Sequence, residues 1–288
     1  MMQPAICARL PDGRLHCQHG PIDLIVEAWG ANSEVERAFA QAAERFGSIL
    51  EELAAQLPAL RSPIGSDTPP FASSVARRMH DAVSPHARVF ITPMAAVAGA
   101  VADEVLAALV HGRSLRKAIV NNGGDIALHL APGATLATGV VADISAPALD
   151  ALASIDATSP VRGIATSGWR GRSQSLGIAD AVTVLASTAA DADAAATLIA
   201  NAVNIDHPSI VRAPAKSLCE DSDLGDRLVT VDVPPLPAAA IEAALANGTA
   251  CAERMRSRAL IESALLLLQG RSRSVYGASG EVRLGRAA

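Results

Sequence analysis

The sequence predicts an α+β fold, an antiparallel sheet covered by helices on one side, and three observations carry that expectation. Pro/Gly turns join successive apolar segments at Pro11-Asp12-Gly13 and Pro132-Gly133, as antiparallel hairpins require. The elements run as strands, long helix, helix, strand, helix, strand pair, then strand and helix again. Half of the 288 residues are apolar but only 2% are aromatic, so one globular body with a closely packed core of Ala, Val, Leu and Ile is expected.

Taken in order, Ala5 to Leu10 and Arg14 to Cys17 form a hairpin across a turn in which proline fixes one φ and glycine tolerates a positive one. Ile22 to Trp29 reads as a strand. Asn32 or Ser33 can cap a helix running to about Leu57, with Glu34 and Glu36 in the first turn, where the helix dipole favours negative charge, and Pro58 stops it. Leu60 to Pro70, with Pro63, Gly65, Pro69 and Pro70, reads as a surface loop, and Phe71 to Val83 as a short helix. Val89 to Asp103 is a strand turning into a helix of small residues, against which another backbone or a flat ligand can come close.

The strand Ala118 to Leu130 is interrupted by Asn121-Asn122-Gly123-Gly124-Asp125, the pattern of a bulge or a close backbone approach. Thr135 to Ala142 completes a hairpin across Pro132-Gly133. The chain after Asp143 is Ala- and Ser-rich as far as Arg162, Ile205 to Asp226 is irregular surface, and Leu228 to Val233 is a strand. From Pro237 two helices break near Gly248 and end near Gly270. Residues 1–270 are thus expected to form a single domain and 271–288 a loose tail.

The stretch from Gly163 to Asn204 concentrates the chemistry. A strand over Ala181 to Ala186 precedes a helix through Asp193 to Ile199. Residues four apart share a helix face, so Asp193 and Thr197 present a carboxylate and a hydroxyl to one point that suits a hard cation; Asp191 or Asp193 equally reads as a cap at the helix start. Thr166, Ser167 and Gly168 offer hydroxyls and amides to phosphate, and are also ordinary turn chemistry. Asn121, Asn122, Gly123, Gly124 and Asp125 suit a phosphate or the edge of a ring, or simply a turn. Arg162, Arg170 and Arg172 flank this strand as phosphate-binding guanidinium groups or as a solvated face.

Other classes are disfavoured. A formal net charge of −5 argues against a general nucleic-acid binder. Cys7, Cys17, Cys219 and Cys251 show no CxxC spacing and read as ordinary reduced thiols. The N-terminus lacks a basic start followed by an apolar run, and no apolar stretch is read as reaching the ~18 residues of a membrane span, so no membrane partner and a cytoplasmic location are expected. His80, His86, His111 and His129 lack ligand spacing, and Gly-x-Ser-x-Gly is absent.

Four segments, in order, resemble the ApbE superfamily, whose best-known members are FAD:protein FMN transferases. Thr92 to Asp103 resembles its small-residue helix, and Asn121 to Asp125 its Asn-x-Gly-Gly-[Asn/Asp] strand. Ala165-Thr166-Ser167-Gly168 is similar to its Ala-Thr-Ser-Gly strand. Val182-Thr183-Val184 followed by Ala192-Asp193-Ala194-Ala195-Ala196-Thr197 is similar to its Asp-Ala-x-Ala-Thr helix. The chain departs from the pattern at two places: Ala98 stands where the family's Gly-x-Ala-Lys-Gly has Lys, and the His of a His-x-Ile-Asp-Pro segment is missing from Leu176 to Asp180.

The resemblance implies a T-fold-like ApbE architecture and a site for FAD or FMN. Thr92, Met94, Gly99, Asn121, Asn122, Gly123, Gly124, Asp125, Thr166, Ser167 and Gly168 would line it, and Asp193 and Thr197 would hold magnesium. Asp180 is then the catalytic candidate. The implied activity acts on the dinucleotide's pyrophosphate, as FMN transfer or FAD hydrolysis. Without the Lys and His, a noncatalytic flavin-binding or partner protein, or an enzyme for another small heterocycle, stands beside it. A small-molecule nucleotide or heterocycle is the expected partner, and fold analogy allows a homodimer.

Overall fold

The computed structural model describes residues 4–65, 71–140, 151–171, 173–276 and 285–286. Pro69 and Pro70, the Ala/Ser-rich stretch over 144–150, Arg172 and most of the expected tail lie outside the described residues. The chain begins with strands β1 (Ile6–Arg9), β2 (Leu15–His19) and β3 (Ile22–Gly30), then helices α1 (Asn32–Ala54), α2 (Leu57–Leu60), α3 (Ser74–Val83) and α4 (Val97–Val110). Strands β4 (Leu115–Asn122), β5 (Asp125–Leu130), β6 (Thr135–Val140), β7 (Ala151–Asp156), β8 (Gly163–Ser167) and β9 (Ala181–Ala186) follow, then α5 (Ala189–Ala202). The rest comprises β10 (Val211–Pro214), α6 (Ala215–Leu218), β11 (Leu228–Asp232), α7 (Ala238–Ser257), β12 (Ser263–Leu268), β13 (Arg271–Val275) and β14 (Gly285–Arg286).

These elements fall into two compact units, one of Met1–Thr135, Asp156–Ala165 and Ser187–Ala194, the other of Leu136–Ile155, Thr166–Ala186 and Ala195–Ala288. In the first, β1 to β5 pair as consecutive antiparallel neighbours, and β5 pairs with β8 through Ile126↔Ile164 and Ala127↔Gly163. Alternation sorts the two faces of the sheet. Cys17, Leu24, Val26, Ala118 and Val120 are buried on the face covered by α1 and α4, whereas Ile25, Glu27 and Asn121 point the other way. Phe46 and Ile49 of α1, Met79 of α3 and Leu109 of α4 fill the space between helices and sheet. Buried Glu104 of α4 binds α1 through Arg45 Nε (3.0 Å) and α3 through Arg78 Nε (2.7 Å) and Ser74 Oγ (2.5 Å). Burial alone would raise its pKa, but those donors outweigh it and hold the carboxyl below the usual range.

Several expectations for this unit are corrected. Cys7 and Cys17 face each other across β1 and β2 and are joined by a disulfide, while Cys219 and Cys251 are free. Neither Asn32 nor Ser33 caps α1; Ala31 is its N-cap, and Glu34 Oε2 instead accepts the Ser114 N–H at 3.0 Å. Val89 to Thr92 is not a strand, because the Ile91 carbonyl accepts a hydrogen bond from Ile64 N–H in a loop, and a short turn Pro93–Ala96 leads into α4. The window Pro93–Val110 is, by length and composition, apolar enough to cross a membrane, and 56% of it is buried inside the protein.

In the second unit β12 lies between β9 and β13, antiparallel to both, and α7 packs on β12 and β13. The run Ser263 to Leu268, expected as helix, is this central strand; a continuous apolar run has no period to distinguish the two. Helix α7 is not broken at Gly248, whose missing side chain admits Val203 and Leu266. Arg271 to Val275 forms β13 rather than the start of a tail. The expected irregular stretch contains β10, which pairs with β11 as a ribbon. Strand β6 belongs to a small sheet in the order β14-β7-β6, so the hairpin across Pro132-Gly133 is not formed.

Candidate functional site

In the first unit, the N-termini of α4 and α5 are held by each other's aspartates. Asp103 of α4 accepts the Ala189 N–H (3.1 Å) and the Ala190 N–H (2.9 Å) at the start of α5. Asp193 of α5 accepts the Gly99 N–H (3.0 Å) at the start of α4. First-turn N–H groups lack intrahelical partners, and each carboxylate supplies the acceptor that the local sequence does not. Gly99 is needed for the crossing itself: a Cβ there would strike the backbone of Ala189 and Ala190. Its role in this structure is close helix packing and a bond to Asp193.

The arrangement concentrates negative charge. Burial, with a smaller contribution from the charge of Asp125, raises the Asp193 pKa well above the usual carboxylate range, and the Gly99 and Ala98 amides only partly offset this. Asp103 is raised to about 6, chiefly by burial. Asp193 and the neighbouring Asp125 thus offer oxygens of the kind that a hard cation takes. Among the described residues no three His, Cys, Asp or Glu side chains are grouped to hold a metal.

Asn121 to Asp125 is neither a bulge nor an interrupted strand. Asn122 pairs with Asp125, and Gly123 (φ 65°) and Gly124 (φ 113°) form the two-residue turn between β4 and β5. The Asn121 side chain accepts the Gly124 N–H at 2.8 Å, and Asn122 Nδ2 donates to the Ala98 carbonyl at 3.0 Å, tying the turn to α4. Thr92 is buried ahead of α4, and Met94 is partly exposed in the turn that follows.

The second unit holds Thr166, Ser167, Gly168, Asp180 and Thr197. Thr166 Oγ1 lies 2.8 Å from Thr183 Oγ1 of β9. Gly168 permits close passage of the chain, since a Cβ would collide with the Asp180 carbonyl. Both carboxylate oxygens of Asp180 carry donors: Trp169 Nε1 (3.3 Å) and Arg170 Nε (3.0 Å) on one, Gln269 N–H (2.5 Å) on the other. That is the setting of an anchor. Asp103, Trp169 and Gln269 are not among the sequence-predicted site residues, although Asp103 is visible as the last polar residue of the small-residue helix Thr92 to Asp103.

A profile of the family described as AbpE bacteria matches residues 7–275. The UPF0280 protein of Methanothermobacter thermautotrophicus is 41% identical over 123 residues, covering 40% of this chain and 43% of that one. The UPF0280 protein of Methanoregula boonei is 35% identical over 165 residues, covering 55% and 68%. The chain therefore spans less than half of the first relative's length. Among solved structures, it is similar to the flavinyl transferase ApbE of Pseudomonas stutzeri in its apo form, with a TM-score of 0.43 and 12% identity over 97% of this chain and 95% of that one.

Proposed function

The chain belongs to the AbpE family of bacteria, a side branch of the ApbE superfamily, and from that premise we propose that it binds a flavin or adenine nucleotide together with magnesium. The observation that carries the reading is the Asp193 carboxylate, crowded by Asp125 at the start of α4. Asp193 and Thr197 would hold the ion, which when bound polarises a pyrophosphate and neutralises charge on the leaving nucleotide. Thr92, Met94, Asn121, Asn122, Gly123, Gly124 and Asp125 are proposed to contact the ligand, as are Thr166, Ser167 and Gly168. Each is to be tested by its own substitution. The cytoplasm and a homodimer remain the proposed compartment and assembly.

Hydrolysis of FAD or transfer of FMN is the catalytic form of this proposal. One observation favours the binding-only form: Asp180, the catalytic candidate, already has donors on both carboxylate oxygens. Ala98, standing where the transferases have Lys, contributes only its backbone here, its carbonyl accepting Asn122 Nδ2.

Calorimetric titration of FAD with and without magnesium tests the proposal. Because Asp193 also caps α4, Asp193→Asn, which retains an acceptor oxygen, is the informative variant beside Asp193→Ala. Magnesium-dependent binding is expected in the native protein and at least about tenfold weaker binding in Asp193→Asn, a loss of about 1.4 kcal/mol. Binding that ignores both magnesium and the substitution would overturn the metal assignment. AMP release from FAD then separates catalysis from binding alone.

A further inference from the structure

Trp169 is fixed in place to a degree that neither the Thr-Ser-Gly segment nor a cation accounts for. It directly follows Gly168, and its side chain remains partly exposed. Its indole N–H donates to Asp180 Oδ1 (3.3 Å), its backbone N–H donates to the Ala179 carbonyl (3.0 Å), and the Arg170 guanidinium carbon lies 4.8 Å from the ring centroid. Asp180 is fixed in turn, since Oδ1 also accepts Arg170 Nε and Oδ2 accepts the Gln269 N–H. Gln269 occupies a positive φ of 44° in the two-residue turn between β12 and β13. Its side chain accepts the Leu236 N–H (2.9 Å) and donates to the carbonyls of Val233 (3.2 Å) and Pro234 (2.9 Å).

An arginine and a carboxylate that is itself held by a turn residue in the left-handed region thus fix one indole that solvent still reaches. Charged and backbone groups take part in orienting it. In a chain with two tryptophans and one tyrosine, large aromatic faces are scarce. An indole pre-set in this way has little orientational freedom left to lose when a flat ring packs on it, and aromatic pairs favour offset or edge contacts of that kind.

We propose that Trp169 is a stacking platform that recognises the planar heterocycle of the ligand, with Asp180 and Arg170 as positioning residues that act through it. This deepens the nucleotide-binding reading and rests on it. It assigns ring recognition to a residue that the motif resemblance does not contain, and it gives Asp180 a purpose other than proton transfer. The ligand class that follows is a flat, electron-poor ring system, an isoalloxazine before a purine, because indole is the electron-rich partner.

The test uses the full chain with Trp29→Phe, which leaves Trp169 as the sole tryptophan. FMN, AMP and inorganic pyrophosphate are titrated by calorimetry, and FMN also by absorbance. FMN binding with a charge-transfer shoulder is expected; Trp169→Phe should keep much of the affinity and lose the shoulder, and Trp169→Leu should lose both. The leucine variant should bind FMN about tenfold more weakly, as loss of one base-aromatic stack predicts, with pyrophosphate affinity unchanged. Asp180→Asn should weaken FMN binding in the Trp169 background and have no further effect in Trp169→Leu, the non-additivity of a residue that works through another. Native-like FMN binding in Trp169→Leu would overturn the platform and leave the nucleotide reading standing. Absence of binding by any of the three ligands to the native protein would overturn both.

Discussion

At the scale of single residues, Asp103 and Asp193 show how one side chain serves both fold and site. Each carboxylate satisfies amides at another helix's start, and each is held where ionisation is costly. Asp103 keeps its proton up to a pH of about 6 in the folded chain, whereas the ordinary value is 3.8. The folded state therefore binds more protons between those values, so the contribution of Asp103 to stability is full below pH 3.8 and is lost as pH rises through about 6. Urea denaturation of the native chain and Asp103→Asn, compared from acid to neutral pH, should show the native chain losing up to about 3 kcal/mol relative to the variant. A difference that does not change with pH would contradict the assignment. Asp193 was legible as a polar residue one turn from Thr197. Its capping of α4 was not, because a cap supplied from a helix 94 residues away in sequence leaves no local signature.

At the scale of elements, glycines divide by what lies beside them. Gly99 sits where α4 meets the first turn of α5, and a methyl there strikes backbone that cannot move aside independently. Gly99→Ala is expected to cost about 1–3 kcal/mol in thermal or chemical denaturation. Gly47, exposed within α1 with open space around it, should behave oppositely: Gly47→Ala is expected to stabilise by roughly 0.5–1 kcal/mol. Equal effects of the two would contradict the described crossing. The hairpin β1–β2, the long helix, β8, β9 and the start of α5 could all be read from turn chemistry, alternation and propensity. The central strand β12 could not, since Ser263 to Leu268 is apolar at every position after the first and takes one of its two neighbours, β9, from far back in the chain. Strand β6 takes a neighbour other than the expected one because Pro132-Gly133 has the chemistry of a hairpin turn whichever way the chain leaves it.

At the scale of the whole molecule, sequence order and spatial grouping diverge. The chain passes between its two units after Thr135, Ile155, Ala165, Ala186 and Ala194, so neither unit is a continuous stretch that can be cut out. A fragment of residues 1–135 lacks the Gly163–Ala165 edge beside β5 and the α5 turn that Asp103 holds. It is expected to be largely unfolded by circular dichroism and amide exchange, whereas the full chain is folded; a cooperative, native-like fragment would refute this. One further consequence comes from Cys7 and Cys17. Their opposition was implicit in the predicted hairpin, because a turn at Pro11 to Gly13 sets those two positions across from each other. With Cys219 and Cys251 free, protein trapped with an alkylating reagent as cells are opened carries a record of where it lived. Two labelled thiols per chain identify surroundings oxidising enough to lock the hairpin, and four identify a reducing compartment, so a mass measurement on one tryptic peptide pair reads out an address.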